Sequence, residues 1–242
     1  MRTANPALNT KTFSNTGFAG ADAMTINGTV QKTAALLFLV VCSGTYTWHL
    51  YTTGVNVSGW MIGSLIAGLI LALITIFKTQ AAPITAPLYA VAEGLFLGAL
   101  SAIFEAKYKG IVVSAAGLTI GTLFALLFAY RTGLIKATQN FRLGVFAATG
   151  GIAIVYLATI ILGLFGIKVP YIHESGLIGI GFSLFVVVIA ALNLVLDFDF
   201  IESGADSGAP RYMEWYAAFG LLVTLIWLYV EMLRLLSKLR SR

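Results

Sequence analysis

Residues 177–210 read LIGIGFSLFVVVIAALNLVLDFDFIESGADSGAP. From Leu177 to Leu196 the stretch carries no charge and is almost wholly apolar, for twenty residues. That is the length a helix needs to cross a hydrocarbon layer of about 30 Å. Immediately afterwards the chain turns acidic, with Asp197, Asp199, Glu202 and Asp206 ahead of Gly208 and Pro210. A membrane span that ends in carboxylates is the pattern the rest of the sequence has to explain.

The same template of about 20 apolar residues, moved along the chain, fits Val30 to Tyr51, Ser58 to Phe77, Ala86 to Phe104, Ile111 to Tyr130, Arg142 to Phe165 and Met213 to Leu236. With the opening stretch this predicts an all-α membrane protein of seven transmembrane helices. Composition agrees: 59% of the 242 residues are hydrophobic and 10% are charged, against roughly a quarter charged in soluble domains, and the mean hydropathy is +0.91. Residues 1–29 are rich in Asn, Thr, Ser, Ala and Gly without a helical apolar period, and read as a flexible polar tail. Residues 30–242 form the transmembrane domain. Its short connections leave no room for a soluble catalytic domain.

The net charge of +5 is spread too thinly for the basic stripe of a nucleic-acid-binding protein, so the partner is the lipid bilayer and no nucleic acid is expected. The imbalance bears instead on orientation. Arg2, Lys11, Lys32, Lys78, Arg131, Lys136, Arg142 and Arg211 fall on the N-terminal side of the membrane, whereas Lys107, Lys109 and Lys168 occupy the opposite loops. The loops therefore place the N-terminus in the cytoplasm, although Arg234, Lys238, Arg240 and Arg242 nearly balance the count at the far end. A re-entrant last segment would move that cluster across; its length favours a full crossing. No cleavable signal pattern precedes the first span, which is expected to act as the targeting segment.

One cysteine, Cys42, and two histidines, His49 and His173, exclude an internal disulfide and a His-rich metal centre. Walker, HExxH and GxSxG signatures are absent, and no Asp lies in any span except at the end of the sixth, so neither an enzyme nor a cofactor is expected. The acids after Leu196 lack EF-hand spacing, which argues against a tightly bound metal. Gly59-x-x-x-Gly63, Gly94-x-x-x-Gly98 and Gly117-x-x-x-Gly121 match a pattern for close helix approach.

Glu93 falls near the middle of the third span, where a charge costs about 2.5–3.5 kcal/mol on insertion scales. It reads either as an ion or proton site, or as a protonated group bonded to a neighbouring helix. Asp197 is the acid best placed for an interior position on the sixth span. Asp199 and Glu202 share a face if the helix continues, but Gly204, Gly208 and Pro210 are expected to break it. Glu202 and Asp206 then belong to a loop, and with Asp199 form a solvated rim that attracts cations. Glu231 has Arg234 at i+3, so a local ion pair competes with a role as an intramembrane carboxyl. His173 and Glu174 read as a solvated loop. Two carboxyls brought together in a low dielectric share one proton, so Asp197 with a second acid, Glu93 or Glu231, is a candidate proton-operated latch.

Several stretches carry a family likeness together: RTANPALNTKTF at 2–13, MTINGTVQKTAALL at 24–37, PLYAVAEGLFLG at 87–98 and WYAAFGLLVTLIWLYVEMLRLLSKLR at 215–240. The chain resembles the bacterial YccA-like branch of the Bax inhibitor-1, or transmembrane Bax inhibitor motif, family. The resemblance implies a seven-helix bundle with the last helix central, in a bacterial inner membrane, acting as a pH-sensitive calcium leak. It also implies a gate made of one aspartate on the sixth helix and one on the seventh. Asp197-Phe-Asp199-Phe-Ile201 is similar to the sixth-helix motif and puts Asp197 at the sensor position. The second position falls at Thr224, which is no carboxylate; Glu231 lies about 10 Å further along the helix. Two other functions remain open beside the leak: an interaction protein that modulates a membrane quality-control protease, and a proton-coupled small-molecule transporter.

Overall fold

The computed structural model describes residues 23–166 and 176–241. Among these, seven helices are long and apolar enough to cross a membrane. They are α1 (Ile26–Thr52), α2 (Ser58–Phe77), α3 (Ala82–Lys107), α4 (Ile111–Arg131), α5 (Gln139–Leu164), α6 (Leu177–Asp206) and α7 (Met213–Arg240). His173, Glu174 and the chain before Ala23 lie outside the described residues.

Burial divides the helices into two kinds. In α7, 56% of the most apolar window is buried and in α3 and α6 50%, against 11–17% in α1, α2, α4 and α5. α7 is thus the most enclosed helix, while the four others turn large side chains such as Phe77, Val113 and Ile154 outward. Outward apolar residues are the solution for a helix whose solvent is lipid.

The chain forms two compact units. One contains α1, α2 and α3 with Asp199–Val223, that is, the end of α6 and the start of α7. In it α3 packs against both α1 and α2. Gly94 and Gly98 make the first contact possible: a Cβ on Gly98 would lie 2.0 Å from the Gly44 carbonyl oxygen, and one on Gly94 2.0 Å from Ser43 Oγ. At that closeness the Thr47 hydroxyl donates to the Leu95 carbonyl across the helices at 2.9 Å. Thr75 donates to Thr85 at 2.7 Å and ties α2 to α3. The other two glycine pairs, Gly59 with Gly63 and Gly117 with Gly121, have nothing within 4 Å of an added Cβ.

The second unit holds Gly110–Phe198 and the chain from Thr224 onward, hence α4, α5, most of α6 and the rest of α7. Ile152, Val186 and Ile189 form a buried cluster with Tyr156, Phe182 and Trp227 packed against it. Lys238, near the end of α7, donates to the Gly179 carbonyl at 3.0 Å and to Ser183 Oγ at 2.9 Å at the beginning of α6. α6 and α7 therefore run antiparallel in this unit.

Two boundaries depart from the sequence expectation. α1 starts at Ile26, ahead of Val30, because Thr25 caps it: its hydroxyl accepts the Gly28 N–H at 2.9 Å. Residues ahead of the cap are also structured, since Met24 N–H donates to the Ala209 carbonyl at 2.6 Å and Ala23 bridges Pro210. More consequentially, α6 does not stop near Leu196 but runs unbroken to Asp206. Gly204 is a buried helical residue, and the terminator is Gly208 at φ 64°. Its N–H donates to the Ala205 carbonyl and that of Ala209 to the Gly204 carbonyl, each at 3.1 Å, which is the hydrogen-bond pattern of a Schellman stop.

Candidate functional site

In the second unit the polar side chains lie on stripes of α5, α6 and α7. Asp197 is 1% exposed, as an interior position requires, and Thr224 on α7 is 3% exposed. One turn before Asp197, the buried Asn193 donates from Nδ2 to Thr149 Oγ1 on α5 at 2.9 Å and to the Ile189 carbonyl at 2.8 Å. A buried amide with both hydrogens bonded contributes a fixed dipole rather than a cost.

Glu231 is also 1% exposed. Its Oε1 accepts from Tyr156 OH on α5 at 3.0 Å and from the Arg234 guanidinium at 2.7 Å. The ion pair anticipated from the i+3 spacing thus forms, and Arg234 in addition stacks over the Tyr156 ring, 5.3 Å from its centroid. Oε2 has no hydrogen-bond partner among the described residues.

Asp197 and Glu231 do not meet. Trp227 packs on the cluster that includes Ile189; Glu231 lies one turn to one side of that level, and Asp197 about two turns to the other. At 1.5 Å rise per residue this separates them by on the order of 15 Å along the helix axes. A shared proton between these two carboxyls, one form of the expected latch, is excluded by that register. The reason is the antiparallel phase of α6 and α7, which opposes Glu231 to the beginning of α6 rather than to its acidic end.

The remaining candidates belong to the first unit. Glu93 on α3 is half-buried, hydrogen-bonded to Tyr89 one turn earlier, with its carboxylate against Gly68 of α2, where a Cβ would approach Oε1 to 2.9 Å. Tyr89 itself packs edge-on to Phe219 of α7 at 4.9 Å between centroids. Asp199, Glu202 and Asp206 are all helical, so Glu202 and Asp206 are not in a loop as the glycines suggested; the spacing of the three sets them on one face of α6. Glu202 and Asp206 are exposed and Asp199 is half-buried. The acidic rim is therefore a stripe along the last two turns of a helix.

One buried carboxylate falls outside the candidates read from the sequence. Glu214, 2% exposed at the start of α7, accepts at Oε1 from both the backbone N–H and the hydroxyl of Thr25, each at 2.9 Å, and at Oε2 from Lys32 Nζ. Lys32 also lies over the Trp215 ring. Gly28 is a requirement of this clamp, since a Cβ there would fall 2.1 Å from Glu214 Oε1. No sequence signal links residues 182 positions apart, and Asn193, Thr149 and Tyr156 carry no charge to mark them as costly in a membrane helix. Among the described residues no three His, Cys, Asp or Glu side chains group as a metal site.

Seven apolar helices, with ionisable side chains buried in the enclosed ones, define a multi-pass, all-α membrane protein. Residues 5–241 match the family described as Bax inhibitor 1 like. The chain belongs to that family. No curated protein and no solved structure matches it.

Proposed function

We propose that the protein is a passive cation pathway, for calcium, whose conductance is set by protonation of carboxyls inside the helices. Asp197 is the principal proton site, and Glu93 and Glu231 are further ones. The observation that carries this reading is that Asp197 and Glu231, each 1% exposed, sit on the enclosed helices α6 and α7. Ionisable groups in such positions are costly and mark ion or proton pathways by default. Losing a proton there places a charge in a low dielectric and drives the group toward water or a cation. The stripe of Asp199, Glu202 and Asp206 raises the local cation concentration at one end of α6 without forming a tight cage. Likeness to the YccA-like branch carries the same expectation, with no enzymatic step and no cofactor. The same likeness implies a bacterial inner membrane, and the basic loops argue for a cytoplasmic N-terminus.

Purified protein in liposomes loaded with a calcium dye tests the reading. The expected result is a calcium flux that varies between about pH 5 and 8, the range into which burial moves a carboxyl, and an Asp197→Asn variant that has lost the variation. Wild-type flux no greater than that of empty vesicles throughout the range refutes the leak. A membrane protease that co-purifies equally with wild type and with amide variants at Glu93 and Asp197 would then favour an interaction role, and substrate-dependent proton movement a transporter.

A further inference from the structure

Within the second unit three helices repeat one order of residue types. α5 presents Thr149, Ile152 and Tyr156; α6, read backwards, presents Asn193, Ile189 with Val186, and Ser183; α7 presents Thr224, Trp227 and Glu231 followed by Lys238. The intervals are three, four and seven residues, so each set occupies a single helical stripe. Contacts between the stripes respect the order. Thr149 and Asn193 bond at 2.9 Å in one polar layer. Ile152, Val186 and Ile189, 3%, 0% and 7% exposed, form the next layer with Trp227 against them. Tyr156 and Glu231 bond at 3.0 Å beyond it, followed by Lys238 and Ser183 at 2.9 Å.

We propose that Ile152, Val186, Ile189 and Trp227 form a dry gate between a polar layer at Thr149 and Asn193 and a second polar layer at Tyr156 and Glu231, and that ions cross only when this gate becomes wet. From Thr149 to Tyr156 the helix rises about 10 Å, enough for an apolar girdle to exclude water when closed. Constrictions of this kind gate by dewetting, without a charged latch. The polar groups on either side are not ornaments of a core. Glu231 Oε2 lacks a hydrogen-bond partner among the described residues, so it is a buried acceptor at the edge of the dry layer that water would satisfy. Trp227, half-buried, is the one gate residue large enough to open the layer by a rotamer change. The gate rests on the cation-pathway reading for its physiological meaning, but its physical claim concerns water and can fail separately.

The test uses the full-length protein in liposomes and the isosteric variant Val186→Thr, which adds a hydroxyl to the girdle without removing volume. Val186→Ile serves as an apolar counterpart that also disturbs packing. Val186→Thr is expected to raise cation flux by roughly tenfold, equivalent to about 1.4 kcal/mol off the barrier, with Val186→Ile no leakier than wild type. If wild type leaks and Val186→Thr leaks no faster, the gate is overturned and the pathway reading stands. If wild type is tight and Val186→Thr leaks, the gate is supported and the resting leak is refuted. If both are tight, or if both substitutions leak alike, the gate is overturned. Labelling adds a readout independent of flux: in a Cys42→Ser background, Thr149→Cys and Ser183→Cys should react with a membrane-impermeant maleimide from opposite faces only. Reaction of both from one face in the closed protein overturns the gate.

Discussion

Gly98 gives the most quantitative test of the packing. Alanine there brings a methyl carbon to 2.0 Å from the Gly44 carbonyl oxygen and 2.4 Å from Thr47 Oγ1, where carbon contacts settle at about 3.5–4.0 Å. The obstacle is backbone, not the tip of a flexible side chain, so α1 and α3 have to part by more than an ångström. Overpacking of this kind costs about 1–3 kcal/mol, and stretching the Thr47 to Leu95 hydrogen bond about 1 kcal/mol more. The preference of alanine over glycine in a helix returns about 0.8–1 kcal/mol. The net loss is about 1–3 kcal/mol. Gly121 provides the matched control, because an added Cβ meets nothing within 4 Å and Gly121→Ala gains the helix preference alone, about 1 kcal/mol at most. Reversible unfolding in mixed micelles, followed by tryptophan fluorescence, measures both variants. Gly98→Ala should fall about 2–4 kcal/mol below Gly121→Ala, combining the two differences; equal stability would refute the close-approach argument.

Lys32→Met leaves the Glu214 carboxylate buried without its cation and should cost about 3–5 kcal/mol; in a double-mutant cycle with Glu214→Gln the two changes should couple by about 1–3 kcal/mol, and strict additivity would show that the clamp is not an interacting pair. Tyr156→Phe removes a hydrogen bond to a carboxylate, worth about 1.5–3 kcal/mol, and an unfolding midpoint unchanged from wild type would count against the Glu231 geometry. Neutralising both exposed acids of the α6 stripe, Glu202→Gln with Asp206→Asn, should lower calcium flux at low salt but not at high salt, where the Debye length shrinks to about 3 Å at 1 M. A flux that is equally insensitive at both salt concentrations would dismiss the stripe as a cation collector.

The seven spans were legible because hydrocarbon imposes one rule on every one of them: twenty or so apolar residues with the backbone satisfied internally. Gly94 and Gly98 were also legible, and their spacing marks a real close approach, whereas Gly59, Gly63, Gly117 and Gly121 share the motif but leave open space where a Cβ would sit. The difference is the neighbour, which a one-helix pattern does not contain. At the end of α6, Gly204 read as a breaker on local grounds, yet the helix buries it and spends its left-handed turn four residues later at Gly208. Enclosure overrides the weak local preference of a single glycine, and the acids of the stripe changed from loop to helix with it. Glu231 was half legible: Arg234 at i+3 is local, but Tyr156 comes from another helix. Asp197 was recognised as interior from its place at the end of an apolar run.

The clamp on Glu214 also sets a problem of timing. Thr25 and Lys32 leave the ribosome with the first helix, but their carboxylate partner is 182 to 189 residues further along. At about 5–20 residues per second of synthesis, Lys32 waits on the order of ten to forty seconds for its counter-charge. Throughout that interval its ammonium has to stay at the aqueous edge of the bilayer, which holds the leading end of the first helix at the surface while the next five are made. The last helix to be made is then the one that fastens the first, so completion of the bundle is registered by a bond between its two ends.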